Sequence, residues 1–397
     1  MSTISTLSSI YLILDVGLSP LQLVLVGSVL EGTVLLFEVP TGVVADAVSR
    51  RLSVLIGVFL TGAGFLLYAI PSFPVVLLGQ VVWGLGATFV SGANVAWMVD
   101  EVGEADAKPL LLRAAQRAQV AQFFGIVAGV CLGAIALPLP VAAGGVVYLL
   151  LGLWLLRAME EHRPPNADPG ATLRTSVHAT LGAAVDAVHL RPVLLLVLAV
   201  AALHGASTEG FDRLWELQLL REVDLPEVGV FGITPWFGLL RAVGLLIAIA
   251  ATAFVTRRLR GRSDDAAVRA LWITAGLFVL TMGAYALADR LWLLVVAYWA
   301  IVAVRGVHTP LFTAWVNTGL ASASRATVNS AGAQADALGQ VGGGPVLGWV
   351  ATARSVRDAI GLAALAALPV LPLIGRARRL EPSSHSEGPL APGERPS

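Results

Sequence analysis

Residues 42–51 read Gly42-Val-Val-Ala45-Asp46-Ala-Val-Ser-Arg50-Arg51, and they join the end of one apolar block (21–45) to the start of the next (52–70). The two blocks are almost free of charge, and each is about 18 to 25 residues long, enough for a helix to cross a hydrocarbon layer about 30 Å thick. Inside lipid a backbone must satisfy its own hydrogen bonds, so each block is read as a helix and the ten residues as a turn between two spans. The paired arginines place that turn at a membrane surface and favour the cytoplasmic side.

The pattern continues outward from this turn. A short first segment, Ser5 to Leu14, precedes it, and further blocks run over 74–98, 114–137, 141–157, 192–218, 229–255, 270–287, 291–315, 327–350 and 359–374. Proline-rich breaks such as Pro71-Ser-Phe-Pro74 and Pro138-Leu-Pro140 separate them. The expectation is an all-α integral membrane protein of twelve spans. The polar stretch Glu160 to Arg191 divides the spans six and six, giving an N-terminal bundle over 1–158, a cytoplasmic linker over 159–191 and a C-terminal bundle over 192–375. A proline- and serine-rich tail over 376–397 is expected to be disordered. Only about fourteen residues precede Asp15, a reach of some 20 Å at 1.5 Å per residue, so the first helix reads as truncated at its N-terminus.

Composition agrees. Hydrophobic residues make up 56% and charged residues 13%, where a soluble domain keeps about a quarter charged. A net charge of zero gives no electrostatic footprint for nucleic acid. The single cysteine, Cys131, cannot form an internal disulfide and reads as packing. One lysine stands against 25 arginines, which fits a GC-rich coding bias better than any function, and a bacterial source is expected. With the 46–51 turn inside, eighteen Lys/Arg fall on the cytoplasmic side, four outside (221, 290, 354, 357) and four within spans (117, 213, 241, 305). Both termini are then cytoplasmic, in a cell membrane, and a monomer is expected.

The halves repeat. Ala118-Gln119, Gly129 and Gly133 recur as Ala333-Gln334, Gly344 and Gly348, each 215 positions later. Ala96-Trp97 recurs as Ala314-Trp315, and Pro20 as Pro226. Near-constant offsets of this kind, 206 to 218 positions, suggest duplication of a six-helix unit.

The loop over 42–51 resembles the signature loop of the major facilitator superfamily, which reads glycine, three residues, aspartate, three residues and two basic residues. It departs in having Ala47 after the aspartate and Ser49 before the arginines. The resemblance implies two rocking six-helix bundles and a latch at the cytoplasmic gate built from Gly42, Asp46, Arg50 and Arg51, with Asp100 at the end of the fourth span as acidic partner. Gly42 is read as permitting close helix approach. In the fifth span Gly125, Gly129 and Gly133 resemble the antiporter signature of the superfamily's drug exporters, with Val130 where a proline usually stands. Gly344-Pro345…Gly348 in the eleventh span carries that proline. Packing by small residues is the other reading of these glycines. Gln80 stands where exporters have an arginine.

Charge within a span costs about 2.5–3.5 kcal/mol, so each such residue is a site candidate. The acids are Glu31, Glu38, Glu209, Asp212, Glu216 and Asp336; the bases are Arg117, Arg213, Arg241 and Arg305. Glu31, Glu38, Arg117, Arg241, Arg305 and Asp336 are the candidates for coupling or substrate contact. Glu209, Asp212, Arg213 and Glu216 share one helix face; Asp212 and Glu216 with Arg213 read as helix fasteners, and His204 and His308 as isolated and structural. No third ligand suggests a metal, and no cofactor is expected. Trp83, Trp97, Trp236 and Trp315 are expected to line the cavity. The chain shows no Gly-x-Ser-x-Gly, His-Glu-x-x-His or nucleotide-binding loop and no ATPase domain, so it is not read as an enzyme. The leading expectation is proton-driven export of a small amphiphilic or hydrophobic compound. Proton-coupled uptake and a non-transporting receptor or scaffold are the alternatives.

Overall fold

The computed structural model describes residues 2–162, 193–262, 264–317 and 322–380. Most of the expected linker (163–191) and the tail from 381 lie outside the described residues. Among those residues the secondary structure is helical, with no strand.

The N-terminal helices are α1 (Ser2–Ser5), α2 (Ser8–Leu14), α3 (Pro20–Ala47), α4 (Arg50–Tyr68), α5 (Phe73–Val102), α6 (Glu104–Ile135) and α7 (Leu139–Ala158). The C-terminal helices are α8 (Val193–Glu222), α9 (Thr234–Leu259), α10 (Asp264–Leu287), α11 (Leu291–Asn317), α12 (Ser322–Ala353), α13 (Val356–Ala367) and α14 (Val370–Leu380). Ten spans are long and apolar enough to cross a membrane, α13 and α14 together counting as one. The segment over α1 and α2 is too short to qualify, and α12 does not qualify because Asn329, Gln334, Asp336 and Gln340 interrupt it. Helix α14 carries the chain past 376, so Arg376 and Arg378 stand on a helix rather than at the start of the expected tail.

Local chemistry sets the helix ends. Ser19 opens α3 with a capping box: its hydroxyl accepts from Gln22 N at 3.3 Å, while Ser19 N donates to Gln22 Oε1 at 2.9 Å. Ser49 caps α4 by accepting from Leu52 N, and Ser355 caps α13 by accepting from Asp358 N. Gly103, with φ 83°, turns the chain between α5 and α6, a conformation that a side chain would strain.

With helices crossing in alternate directions, the α3–α4 turn marks one surface of the molecule, the turn face, and Pro20 and Pro226 mark the opposite face. Within each bundle glycines bring helices to backbone contact. A Cβ on Gly64 of α4 would stand 2.6 Å from Trp83 N of α5, and one on Gly57 would stand 2.6 Å from Gly86 O. In the C-terminal bundle a Cβ on Gly339 of α12 would overlap the Ala202 carbonyl of α8, and one on Gly205 would overlap that of Asp336. Tight contact is the attraction available where lipid is as apolar as the side chains.

The bundles meet in the half of the molecule nearer the opposite face. There α12 lies on α3: a Cβ on Gly344 would be 2.7 Å from Ser28 Oγ, one on Gly348 would be 3.1 Å from Leu21 Cα, and Leu21 N donates to Thr352 Oγ1 at 3.0 Å. Gly238 of α9 similarly receives Val130 and Ile126 of α6. These two crossings join the second span to the eleventh and the fifth to the eighth, and the six-helix repeat exchanges one crossing for the other. In the first segment, Leu7 sits on Gly133 and Ile4 on Gly144, both in this same half. Toward the turn face, residues 112–121 of α6 are exposed on every side, Arg117 and Gln119 among them.

Candidate functional site

Two clusters of charge have a defined geometry, one at the turn face and one near mid-helix.

At the turn face Arg50 forms an ion pair with Asp100, donates to Ala96 O at 3.2 Å and reaches Asp46 at 3.4 Å. The expected latch partner is therefore in contact. Arg51 turns the other way, donating to Met159 O at 2.5 Å and Leu156 O at 2.9 Å at the end of α7. Glu161 was not singled out from sequence, because it stands in the polar stretch read as linker. It accepts from Ser49 Oγ (2.5 Å), Arg50 N (2.9 Å) and Arg51 N (3.2 Å), so a carboxylate sits on the positive N-terminus of α4. Glu101 accepts from His162 N at 2.8 Å. The cluster thus binds the turn-face ends of α3, α4, α5 and α7 into one block. Gly42 is different from expectation: a Cβ there would meet nothing within 4 Å, so no close helix approach depends on it here.

Near mid-helix, α8 carries three acids at three- and four-residue spacing, and each takes a different arginine. Glu209 pairs with Arg213 of its own helix at 3.0 Å. Glu216 pairs with Arg241 of α9 at 2.9 Å. Asp212 holds Arg305 of α11 by two bonds, 2.5 and 2.9 Å. Glu209 and Glu216 are buried, and the Arg241 guanidinium also lies over the Trp215 ring, 5.6 Å from its centre. The fastening role expected of Asp212, Arg213 and Glu216 therefore extends to Glu209, and to Arg241 and Arg305, which the sequence placed among the coupling candidates. Gly27 of α3 makes room for the first pair, since a Cβ there would overlap Glu209 Oε1 and Arg213 Nε.

The remaining acids are left without a cation. Glu31, half-buried on α3, has no hydrogen-bond or ion-pair partner among the described residues, and it lies within electrostatic reach of Glu209, Arg213 and Asp336. Asp336 on α12 accepts, among the described residues, from Gln340 Nε2 at 2.8 Å. Glu38 accepts from Ser91 Oγ at 3.2 Å. Glu31 and Asp336 come from opposite bundles, each close to the middle of its helix.

A family model for the Major Facilitator Superfamily matches residues 1–344. The chain belongs to that superfamily. An uncharacterized MFS-type transporter of Bacillus subtilis (strain 168), YxaM, is 32% identical over 138 residues, so the matched stretch spans 34% of either chain. Among solved structures, the nucleoside transporter NupG superposes with a TM-score of 0.74 at 14% identity, covering 96% of this chain and 95% of its own. A bacterial homologue of the human lysosomal transporter Spinster, solved in an inward-facing and unoccupied conformation, gives 0.73 at 14%, covering 96% and 93%. The peptide transporter POT gives 0.69 at 17%, covering 96% and 92%. At these identities the likeness is one of fold, the all-helical facilitator architecture of two six-helix bundles.

Within this facilitator fold the expected exporter glycines act as packing surfaces. Gly129 and Gly133 are buried, Gly125 is half-buried, and Gly344 and Gly348 flank Pro345 on the face of α12 that meets α3. The four tryptophans do not line one cavity. Trp97 donates to Glu160 O at the turn face, and Trp236 donates to Pro226 O near the opposite face. Trp83 packs on Phe65 with centroids 4.8 Å apart, and Trp315 is buried beside Phe312. Cys131 is exposed rather than packed. His204 and His308, read as isolated, stack on each other with ring centroids 5.6 Å apart; 104 positions separate them in sequence, and only the packing of α8 against α11 joins them.

Proposed function

We propose that this facilitator-family membrane transporter is a proton-coupled exporter of a small amphiphilic compound. It would sit in a bacterial cell membrane with the turn face cytoplasmic, as the excess of arginine on that side favours. The observation that carries the reading is the pairing pattern. Each arginine fixed in the C-terminal core already has its own acid, while Glu31 and Asp336, one from each bundle, form no ion pair among the described residues and lie within electrostatic reach of each other. A carboxyl group that is kept near mid-membrane without a partner is costly, and binding a proton removes that cost. Alternating access then follows: the bundles stay joined at the α3–α12 and α6–α9 crossings while the turn face is open, and rocking about them exposes the acids to the other side.

The test uses inside-out vesicles with an imposed pH gradient. Glu31→Gln and Asp336→Asn should each abolish gradient-driven movement of substrate while leaving downhill exchange. Full coupling retained in both variants would sink the reading. Proton-coupled uptake is the second reading, since the same two acids could carry a proton inward together with a substrate. Accumulation rather than loss of labelled substrate by intact cells would decide for it.

A further inference from the structure

A cavity of about 380 Å³ lies inside the C-terminal bundle between α8, α11 and α12. Its long walls are apolar, from Val197, Val200 and Val328. One side is a ladder of flat rings: His204 on His308 (5.6 Å, 28°) and His308 on Phe312 (6.2 Å, 15°). The ladder is fixed from behind by α10, where Thr274 Oγ1 meets His308 Nδ1 at 3.0 Å and Phe278 flanks His204 at 5.7 Å. The hydroxyls of Thr309 and Thr313 at the cavity edge are occupied, since each donates to a carbonyl of its own helix. Asp336 also lines the cavity, with Gln340 on one carboxylate oxygen and no base on the other. Arg305, the base of α11 nearest in the chain, is held by both of its outer nitrogens on Asp212.

We infer that this cavity is a subsite for a planar aromatic ring that bears a protonated amine. The ring would lie along the His308–Phe312 face and the ammonium would donate to the free oxygen of Asp336. The inference rests on the transport reading above and adds a substrate class to it. The shape and size suit one ligand: a cavity of a few hundred Å³ encloses a compound of two fused rings. Charge sets the sign. An anion would face Asp336 while Arg305, the arginine within electrostatic reach, stays held on Asp212, and a neutral arene would leave the second carboxylate oxygen without a donor. A metal ion is disfavoured, because no group of three or more His, Cys, Asp or Glu side chains could hold one among the described residues. The aromatic face adds attraction for a cation as well as for a ring.

The test is equilibrium dialysis of labelled 1-naphthylmethylamine against the full chain purified in detergent, with empty micelles as control and no gradient present. Saturable binding is expected. Unlabelled 1-naphthalenemethanol should compete about 10- to 100-fold more weakly, the loss of one charge-assisted hydrogen bond. 1-Naphthoic acid should not compete, and cyclohexylmethylamine should compete weakly. Asp336→Asn should bring the amine down to the affinity of the alcohol, and Phe312→Leu should weaken the naphthyl compound more than the cyclohexyl one. Arg357→Ala, at the far end of α13, should bind as wild type. Absence of saturable binding, or competition by the acid or the alcohol equal to that by the amine, overturns the inference; the competitor series needs no variant to fold. Gradient-driven, Glu31-dependent transport of some other compound without amine binding would overturn the subsite alone. Amine binding without any coupled movement would overturn the transport reading instead.

Discussion

At the scale of single residues, burial makes the ion pairs of α8 unequal in their consequences. Glu216 is 1% exposed and, among the described residues, pairs with Arg241. Arg241→Ala would leave a buried carboxylate without a counter-charge, a change that costs about 3–5 kcal/mol when a buried pair is broken from one side. Thermal unfolding in detergent should show a large drop for Arg241→Ala, and the double variant Glu216→Gln with Arg241→Met should recover much of it. A double variant no more stable than the single would mean that the arginine acts through its packing on Trp215 instead. Glycine positions divide just as clearly. Gly339→Ala pushes a methyl into the Ala202 carbonyl, backbone that cannot step aside, and overpacking of this kind costs about 1–3 kcal/mol. Gly42→Ala meets nothing within 4 Å and should leave the unfolding midpoint where it is. Equal losses at the two sites would contradict the packing described for α8 and α12.

At the scale of elements, the turn-face cluster acts through helix ends rather than through one bond. Arg50 binds the end of α5 at Asp100, Arg51 binds the end of α7, and Glu161 covers the start of α4. If Arg50 and Asp100 work as one latch, Arg50→Ala and Asp100→Asn should each slow transport, and the double variant should be no slower than the worse single one. Strictly multiplicative losses would separate the two residues functionally. The latch was legible in sequence because the 42–51 stretch resembles the superfamily's signature loop, and that resemblance implies an acidic partner at the end of the fourth span. Glu161 was not, since a carboxylate in a polar connector looks like any other until the end of α7 folds back on the α3–α4 turn. The same distinction governs the mid-helix acids. Sequence identified every charge that a span must house, because lipid makes each one conspicuous. Which arginine goes to which acid depends on how α9 and α11 rotate against α8, and hydropathy carries no record of that rotation. The stacking of His204 with His308 was hidden for the same reason.

At the scale of the whole molecule, rocking requires that one half of the interface hold while the other opens and that the holding half then release. The described contacts place the closed half at the α3–α12 and α6–α9 crossings. Both are glycine-lined, and the internal repeat makes them counterparts. Such crossings can close tightly and part again without unpairing charge, because none of the three ion pairs of α8 lies across them. Their release can be blocked directly. Leu21 N lies 3.0 Å from Thr352 Oγ1, and a Cβ on the neighbouring Gly348 would be 3.1 Å from Leu21 Cα, so the two chains run within disulfide reach. Leu21→Cys with Thr352→Cys, in a background where the exposed Cys131 is replaced by serine, should cross-link on mild oxidation. Transport should then stop and return on reduction, while binding of a ligand from the turn face persists in the oxidised protein. Transport at the full rate by a chain shown to be quantitatively cross-linked would mean that this crossing never opens. Movement of substrate would then have to occur within one bundle rather than between two.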